Sequence, residues 1–124
     1  MKAAGTGSEQ SMTVNDITEY PEIEPVVISD GSRLIDGVYT GDLLSWVMGR
    51  GMQDQAWVTI MTNINVIAVA TLVDFSCVII AEDAEIGNDV CEAAKAKGVN
   101  LLRSHKSSYE LCSLLFEKIK SAES

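Results

Sequence analysis

The residues that could do chemistry lie in short polar segments that directly follow apolar runs. These segments are residues 62–65 (TNIN), the acidic pair 82–83 (ED) and residues 104–108 (SHKSS). The first and third precede predicted helices, whose free N–H groups and dipole attract anions, and a histidine and a lysine add positive charge. Such a cluster suits a small phosphorylated ligand, a nucleotide or a carboxylate. Its candidate ligand-binding residues are Thr62, Asn63, Asn65, Glu82, Ser104, His105, Lys106 and Ser107.

The same polar residues have a simpler interpretation as helix caps. Serine, threonine and asparagine are preferred just before the first turn of a helix, and residues 107–110 (SSYE) match the capping-box pattern. The turn at 37–42 (GVYTGD) lacks both the third glycine of a dinucleotide fingerprint and the Lys-Ser/Thr of a phosphate loop. We therefore expect Thr40 to cap a helix that begins at Gly41, with Asp42 complementing its dipole. For the polar loops, the ligand site and the caps both stay open at this stage.

A catalytic set is not evident. His105 is the only histidine, and nothing in the local sequence brings Cys112 within its reach. The acidic pair 82–83 resembles the paired carboxylates of a magnesium-binding receiver domain, but residues 61–62 (MT) stand where a phosphorylatable aspartate is needed. The sequence therefore predicts a protein that is not an enzyme and has no cofactor.

The three cysteines predict structural packing. Cys77 lies in an apolar run, Cys91 and Cys112 lie on helical apolar stripes, and none is part of a CxxC pair. A free cysteine in such surroundings usually packs as a small hydrophobic residue. We therefore expect no metal site, and a redox or metal role is the alternative.

Charge and hydropathy limit the partners. Eighteen acidic and nine basic side chains give a net charge of −9, which repels phosphate backbones and anionic lipid surfaces. The longest apolar run, residues 66–73, is far shorter than the roughly 18 residues of a membrane span. We expect a cytoplasmic protein without nucleic-acid or membrane partners. Residues 1–11 should be a flexible tail, an added one if Met12 is the natural start, and residues 12–124 should form one domain.

Strand and helix patterns alternate along most of the chain. Apolar strands of four to six residues, each followed by a helix, are typical of parallel strands joined by right-handed crossovers. Before this alternation, a short helix at 14–19 and a hairpin of strands 26–28 and 33–38 are predicted, because the Asp-Gly-Ser turn at 30–32 favours tight reversal. The later predicted helices are 41–48, 63–72, 86–97 and 108–119, and the later predicted strands are 56–61, 77–81 and 99–102.

Four segments carry a resemblance to a known family. They are GVYTGDLLSWVM at 37–48, WVTIMTNINVIAVA at 57–70, CVIIAEDAEI at 77–86 and AKAKGVNLLRSHKSSYELCSLLF at 94–116. Together they resemble a DRTGG domain, whose fold is similar to the N-terminal domain of HPr kinase/phosphorylase. The string that names the family is only partly kept, since residues 32–37 read SRLIDG. The resemblance implies a three-layer α/β/α sandwich with a mainly parallel central sheet.

The resemblance also implies a function. DRTGG domains accompany CBS domains in regulated pyrophosphatases, and some stand-alone members occur near iron-hydrogenase genes of anaerobic bacteria. This implies a non-catalytic regulatory module, a homodimer, acting on a partner enzyme. A dimer needs exposed apolar surface, and the helix pattern does not guarantee burial of Trp46, Met48 and Met52, which are therefore candidate interface residues. The alternative is that Trp46 completes the core.

Overall fold

A five-stranded sheet with helices on both faces forms the centre of the computed structural model, which describes residues 12–123. The strand order is β2-β7-β6-β5-β4, and β4, β5, β6 and β7 are parallel while β2 joins β7 antiparallel. A separate two-stranded ladder pairs β1 with β3. The elements are β1 Met12–Thr13, α1 Val14–Ile17, β2 Glu24–Val27, β3 Leu34–Ile35, β4 Val38–Thr40, α2 Leu44–Arg50, β5 Ala56–Thr59, α3 Asn65–Val73, β6 Cys77–Ile80, α4 Asn88–Lys97, β7 Leu101–Arg103 and α5 Ser108–Glu123.

Two hydrophobic cores lie on the two faces of the sheet. One contains side chains of α1 and α5, and the other contains side chains of α2, α3 and α4. Strands β5 (AWVT) and β6 (CVII) are buried at every position, because helices cover both of their faces. The predicted three-layer α/β/α sandwich with a mainly parallel sheet is confirmed. No described helix is long and apolar enough to cross a membrane.

Local sequence signals explain several helix ends. Helix α4 ends at Gly98, whose φ of 72° is a left-handed conformation that glycine adopts without strain. Helix α5 begins with the predicted capping box. The Glu110 N–H donates to the Ser107 hydroxyl, and the Ser107 N–H donates to the Glu110 carboxylate, each at 3.1 Å.

The predicted hairpin is wrong. The turn itself forms, because the Asp30 carboxylate accepts hydrogen bonds from the Ser32 N–H and hydroxyl. Its two flanking strands go to different partners, since β2 pairs with β7 at one edge of the sheet and β3 pairs with β1. The second predicted strand is also broken at Gly37, where a φ of 99° separates β3 from β4 at the other edge.

The predicted start of the helix at Gly41 is also wrong. Thr40 is the last residue of β4, and α2 begins at Leu44 without a side-chain cap. Asp42 has a different role, because its carboxylate accepts hydrogen bonds from the Thr59 hydroxyl at 2.7 Å and the Ile60 N–H at 2.9 Å. Asp42 therefore ties the end of β4 to the end of β5. The predicted flexible tail, residues 1–11, lies outside the described residues.

Candidate functional site

The predicted polar segments follow β5, β6 and β7, so they lie at the carboxyl edge of the parallel strands. Backbone hydrogen bonds join the second and third segments. The Glu82 N–H donates to the Lys106 carbonyl at 2.8 Å, and the Asp83 N–H donates to the Ser104 carbonyl at 3.0 Å. Both donors have left-handed backbone conformations, with φ of 63° and 56°. The structure thus brings Glu82, Ser104 and Lys106 together.

Arg103 fixes this junction, and the sequence analysis did not single it out. Its guanidinium donates to the carbonyls of Ala84 and Asp83 at 3.0 and 3.1 Å, and it pairs with the Asp83 carboxylate at 3.0 Å. A longer contact of 3.6 Å reaches Glu24 on the edge strand β2. The positive charge of Arg103 is therefore already balanced by carboxylates. Arg103 ends the strand that pairs with β6, and the acidic pair 82–83 follows β6, so an arginine at the end of the neighbouring strand is the signal that would have found it.

Several candidate ligand residues are engaged in local hydrogen bonds. Ser104 is buried and its hydroxyl accepts from the Lys106 N–H at 3.1 Å. Ser107 is the cap of α5, and the Asn63 side chain accepts from the Asn65 N–H at 2.9 Å in a turn just before α3. Of these contacts, only the one at Ser107 is a predicted helix cap, because α3 has no side-chain cap and Ser104 binds within the loop before α5.

The other candidate side chains lie at or near the surface. Glu82, Asn63, Asn65 and His105 are exposed, while Thr62 and Lys106 are half-buried. Hydrogen bonds from the Ser107 N–H and hydroxyl lower the pKa of the exposed Glu110 carboxyl, and the nearby charges of Lys106 and His105 lower it further. The ligand-binding role of the eight candidates stays a prediction.

Arg33, the arginine of the DRTGG-like string, lies at the amino ends of the parallel strands, away from the polar segments. The Arg33 guanidinium donates to the Asp54 carboxylate at 2.6 Å and to the Asp74 carboxylate at 2.9 Å. These acids precede β5 and β6, and both have positive φ. Arg33 thus holds together two turns at the amino ends of the strands.

The three cysteines are free and differ in burial. Cys77 is fully buried in β6, and burial raises its pKa to about 12. Cys112 is half-buried on α5, where partial burial raises its pKa despite a hydrogen bond with Thr40. Cys91 is half-buried on α4. Among residues 12–123, no three side chains of the metal-ligating types come together.

The candidate interface residues are exposed on and after α2. Trp46 is 54% exposed, with the Arg50 guanidinium 4.1 Å from its ring centroid, and Met48 and Met52 are 45% and 65% exposed. The alternative that Trp46 completes the core is wrong. Trp57 takes that place, since it is fully buried, packs against Phe75 and donates from its indole to the Gly41 carbonyl at 2.9 Å.

No protein-family model and no curated protein matches the chain. Among solved structures, the fold is similar to the crystal structure of the CBS and DRTGG domains of the regulatory region of Clostridium perfringens pyrophosphatase, complexed with the activator diadenosine tetraphosphate. The TM-score is 0.74 at 11% sequence identity, over 96% of this chain and 53% of the other. The fold is DRTGG-like. The predicted resemblance is confirmed at this level, and the chain spans about half the length of that regulatory region.

Proposed function

We propose that the chain is a non-catalytic regulatory or protein-interaction module that forms a homodimer and acts on a partner enzyme in the cytoplasm. The observation that carries this proposal is the concentration of exposed apolar side chains around α2. Leu43, Trp46, Met48 and Met52 each leave 45% or more of their surface exposed within ten residues of sequence. Large apolar side chains grouped on a surface mark protein contacts in soluble proteins.

The fold supports a regulatory role for this surface. The similar solved structure belongs to the regulatory region of a pyrophosphatase, and the fold of this chain is similar to about half of it. Regulation through a DRTGG-like domain needs contacts with other protein surfaces, which the α2 region offers. The sequence resemblance favours an enzyme of anaerobic redox or hydrogenase metabolism as the partner.

Sedimentation velocity over a dilution series tests the proposal. The wild-type chain should sediment as a dimer that dissociates on dilution. Trp46→Ala, compared at each concentration, shows whether the α2 surface is needed for this self-association. A wild-type chain that is monomeric at every concentration would overturn the homodimer.

A second candidate function is a sensor of a nucleotide or phosphorylated metabolite at the carboxyl edge of the sheet. It is favoured by the position of His105 and Lys106 just before α5, a helix of 16 residues whose first turn can attract an anion. The similar solved structure holds a dinucleotide polyphosphate as its activator.

Thermal unfolding with and without diadenosine tetraphosphate, ATP or inorganic phosphate tests this second function. A bound ligand should raise the midpoint as its concentration rises. Replacing both basic residues, in His105→Ala/Lys106→Ala, should remove the shift, whereas Lys95→Ala on the exposed surface of α4 should leave it unchanged. No shift with any of the three probes would favour the interaction module alone.

A further inference from the structure

Strand β4 leaves one backbone edge open. It is the last strand of the five-stranded sheet, and among the described residues only β5 pairs with it. On the β5 side, the Gly37 carbonyl accepts from the Ala56 N–H at 3.0 Å, and the Gly41 N–H donates to the Val58 carbonyl at 3.2 Å. Because successive residues of a strand direct their N–H and C=O groups to opposite sides, Val38 and Thr40 direct theirs away from the sheet. These groups can pair with another strand.

The opposite edge of the sheet is protected against such pairing. Strand β2 carries Pro25, which lacks an N–H, and the charged Glu24. Its register with β7 also shifts between Pro25 and Val27. Proline, charge and irregular register discourage edge pairing, and β4 (VYT) has none of these three, so its short length of three residues is the one feature that limits pairing there. The two edges of the sheet therefore differ in what they can accept.

An apolar stripe on α5 accompanies the open edge. Tyr109 and Phe116 are 81% and 64% exposed, and Cys112 lies between them on the same helix face. Three surface clefts, of about 620, 290 and 410 Å³, share Phe116, and the second is also lined by Gly37 and Val38. The stripe is thus continuous with the strand edge. We call its residues, Tyr109, Cys112, Ser113, Phe116 and Lys120, the α5 stripe.

Charge favours a second copy of the chain on this surface. Each copy has a net charge of −9, so most approaches of two copies are repulsive. β4 contains no acidic residue, and on the exposed face of α5 the acidic Glu117, which lines two of the three clefts, is balanced by Lys120. Repulsion is therefore weaker at this surface than over the chain as a whole.

The spacing of strands and helices allows two copies to pair through their β4 strands and to pack through their α5 helices at the same time. Helix α5 packs against both β4 and β5, so it lies over the space between them. Two β4 strands paired across a twofold axis at Tyr39 would lie about 4.8 Å apart, with Val38 opposite Thr40 of the second copy. The two α5 helices would then be about 10 Å apart, close to the spacing of packed helices.

We propose that β4 and the α5 stripe form the interface with a second copy of this chain, through antiparallel β4 pairing and α5 packing. The proposal rests on the proposed homodimer and specifies its surface. It assigns self-association to this surface instead of to Trp46, Met48 and Met52, and it leaves the exposed apolar surface of α2 for contact with the partner enzyme.

Matched variants of the full chain test each half of the interface. Phe116→Glu places a charge in the α5 stripe, and Leu72→Glu, at a side chain 71% exposed on α3, is its control. Thr40→Pro removes an outward N–H that does not pair with β5, and Thr40→Ala is its control because it loses the same hydroxyl but keeps the N–H. Circular dichroism confirms that each variant is folded, and sedimentation equilibrium gives its dimer dissociation constant.

Phe116→Glu and Thr40→Pro should each weaken the dimer by at least about 30-fold, while both controls change it by less than about threefold. Hydrogen exchange should show slow Val38 and Thr40 amides in the dimer and fast ones after dilution. Full affinity in Phe116→Glu and Thr40→Pro, with loss in Trp46→Glu, would overturn this interface but keep the homodimer. A monomer at every concentration would overturn both, and slow amides in a monomer would point to residues 1–11 of the same chain instead.

Discussion

Two glycines near the end of α2 should respond in opposite ways to the same substitution. An alanine Cβ at Gly51 would lie 2.5 Å from Cζ of Phe75 and 2.9 Å from the Val47 carbonyl oxygen. Phe75 is buried, with its ring centroid 5.3 Å from that of Trp57, so it has little room to move. At Gly49, inside the helix, a Cβ would meet no atom within 4 Å.

The magnitudes follow from these surroundings. The backbone at Gly51 has a φ of −66°, which suits alanine, so the cost of Gly51→Ala is overpacking and should be about 1–3 kcal/mol of unfolding free energy. Gly49→Ala should instead stabilise the protein by about 0.5–1 kcal/mol, because alanine loses less conformational entropy in a helix. The two variants should therefore differ by roughly 1.5–4 kcal/mol, with opposite signs relative to wild type.

Urea unfolding followed by circular dichroism measures both free energies under one set of conditions. Equal slopes for the two variants would show that neither substitution changes the surface exposed on unfolding. A neutral or stabilising Gly51→Ala would refute the packing of Phe75 against this turn. A destabilising Gly49→Ala would refute the open surroundings of Gly49.

Three further predictions concern the core, the thiols and the charge. Asn100→Ala should lower the unfolding free energy by roughly 3–4 kcal/mol in urea titrations, because the buried amide makes four hydrogen bonds to backbone groups, and a loss below about 1 kcal/mol would contradict this. At mildly alkaline pH and at dilutions where the chain is a monomer, a disulfide reagent should label Cys91 and Cys112 in the folded protein but Cys77 only after unfolding, since burial raises the Cys77 pKa to about 12. Labelling of all three thiols in the folded protein would contradict this prediction. Added salt should tighten self-association measured by sedimentation, because it screens repulsion between copies of net charge −9, and weaker association in salt would count against it.

Local patterns in the sequence predict most helices and strands of this fold. The alternation of apolar strands with helices gives the parallel sheet, and Gly98 and the 107–110 capping box give two helix ends. The hairpin prediction failed because the pairing of these strands depends on contacts with residues far away in the sequence. The loop after β2 is held by Asn100, which binds the Ser29 N–H 71 residues earlier in the chain, and no local pattern contains that contact.

The sequence predicts where the candidate site lies better than it predicts the contacts of its side chains. The predicted position of the polar segments, at the carboxyl ends of the strands, is correct, because it follows from the parallel arrangement of the strands. It does not show that the Ser104 hydroxyl accepts from the Lys106 N–H, or that Arg103 is paired with acids. The α5 stripe was also missed, because the exposure of Tyr109 and Phe116 depends on which strand lies at the edge.

The most direct test of the central claim is the mass of the unmodified chain in solution. Light scattering coupled to gel filtration gives this mass without reference to shape. A module that works through self-association should have twice the chain mass of 13.4 kDa at high concentration and move towards the single-chain mass on dilution. A mass of one chain across the whole series would contradict the account.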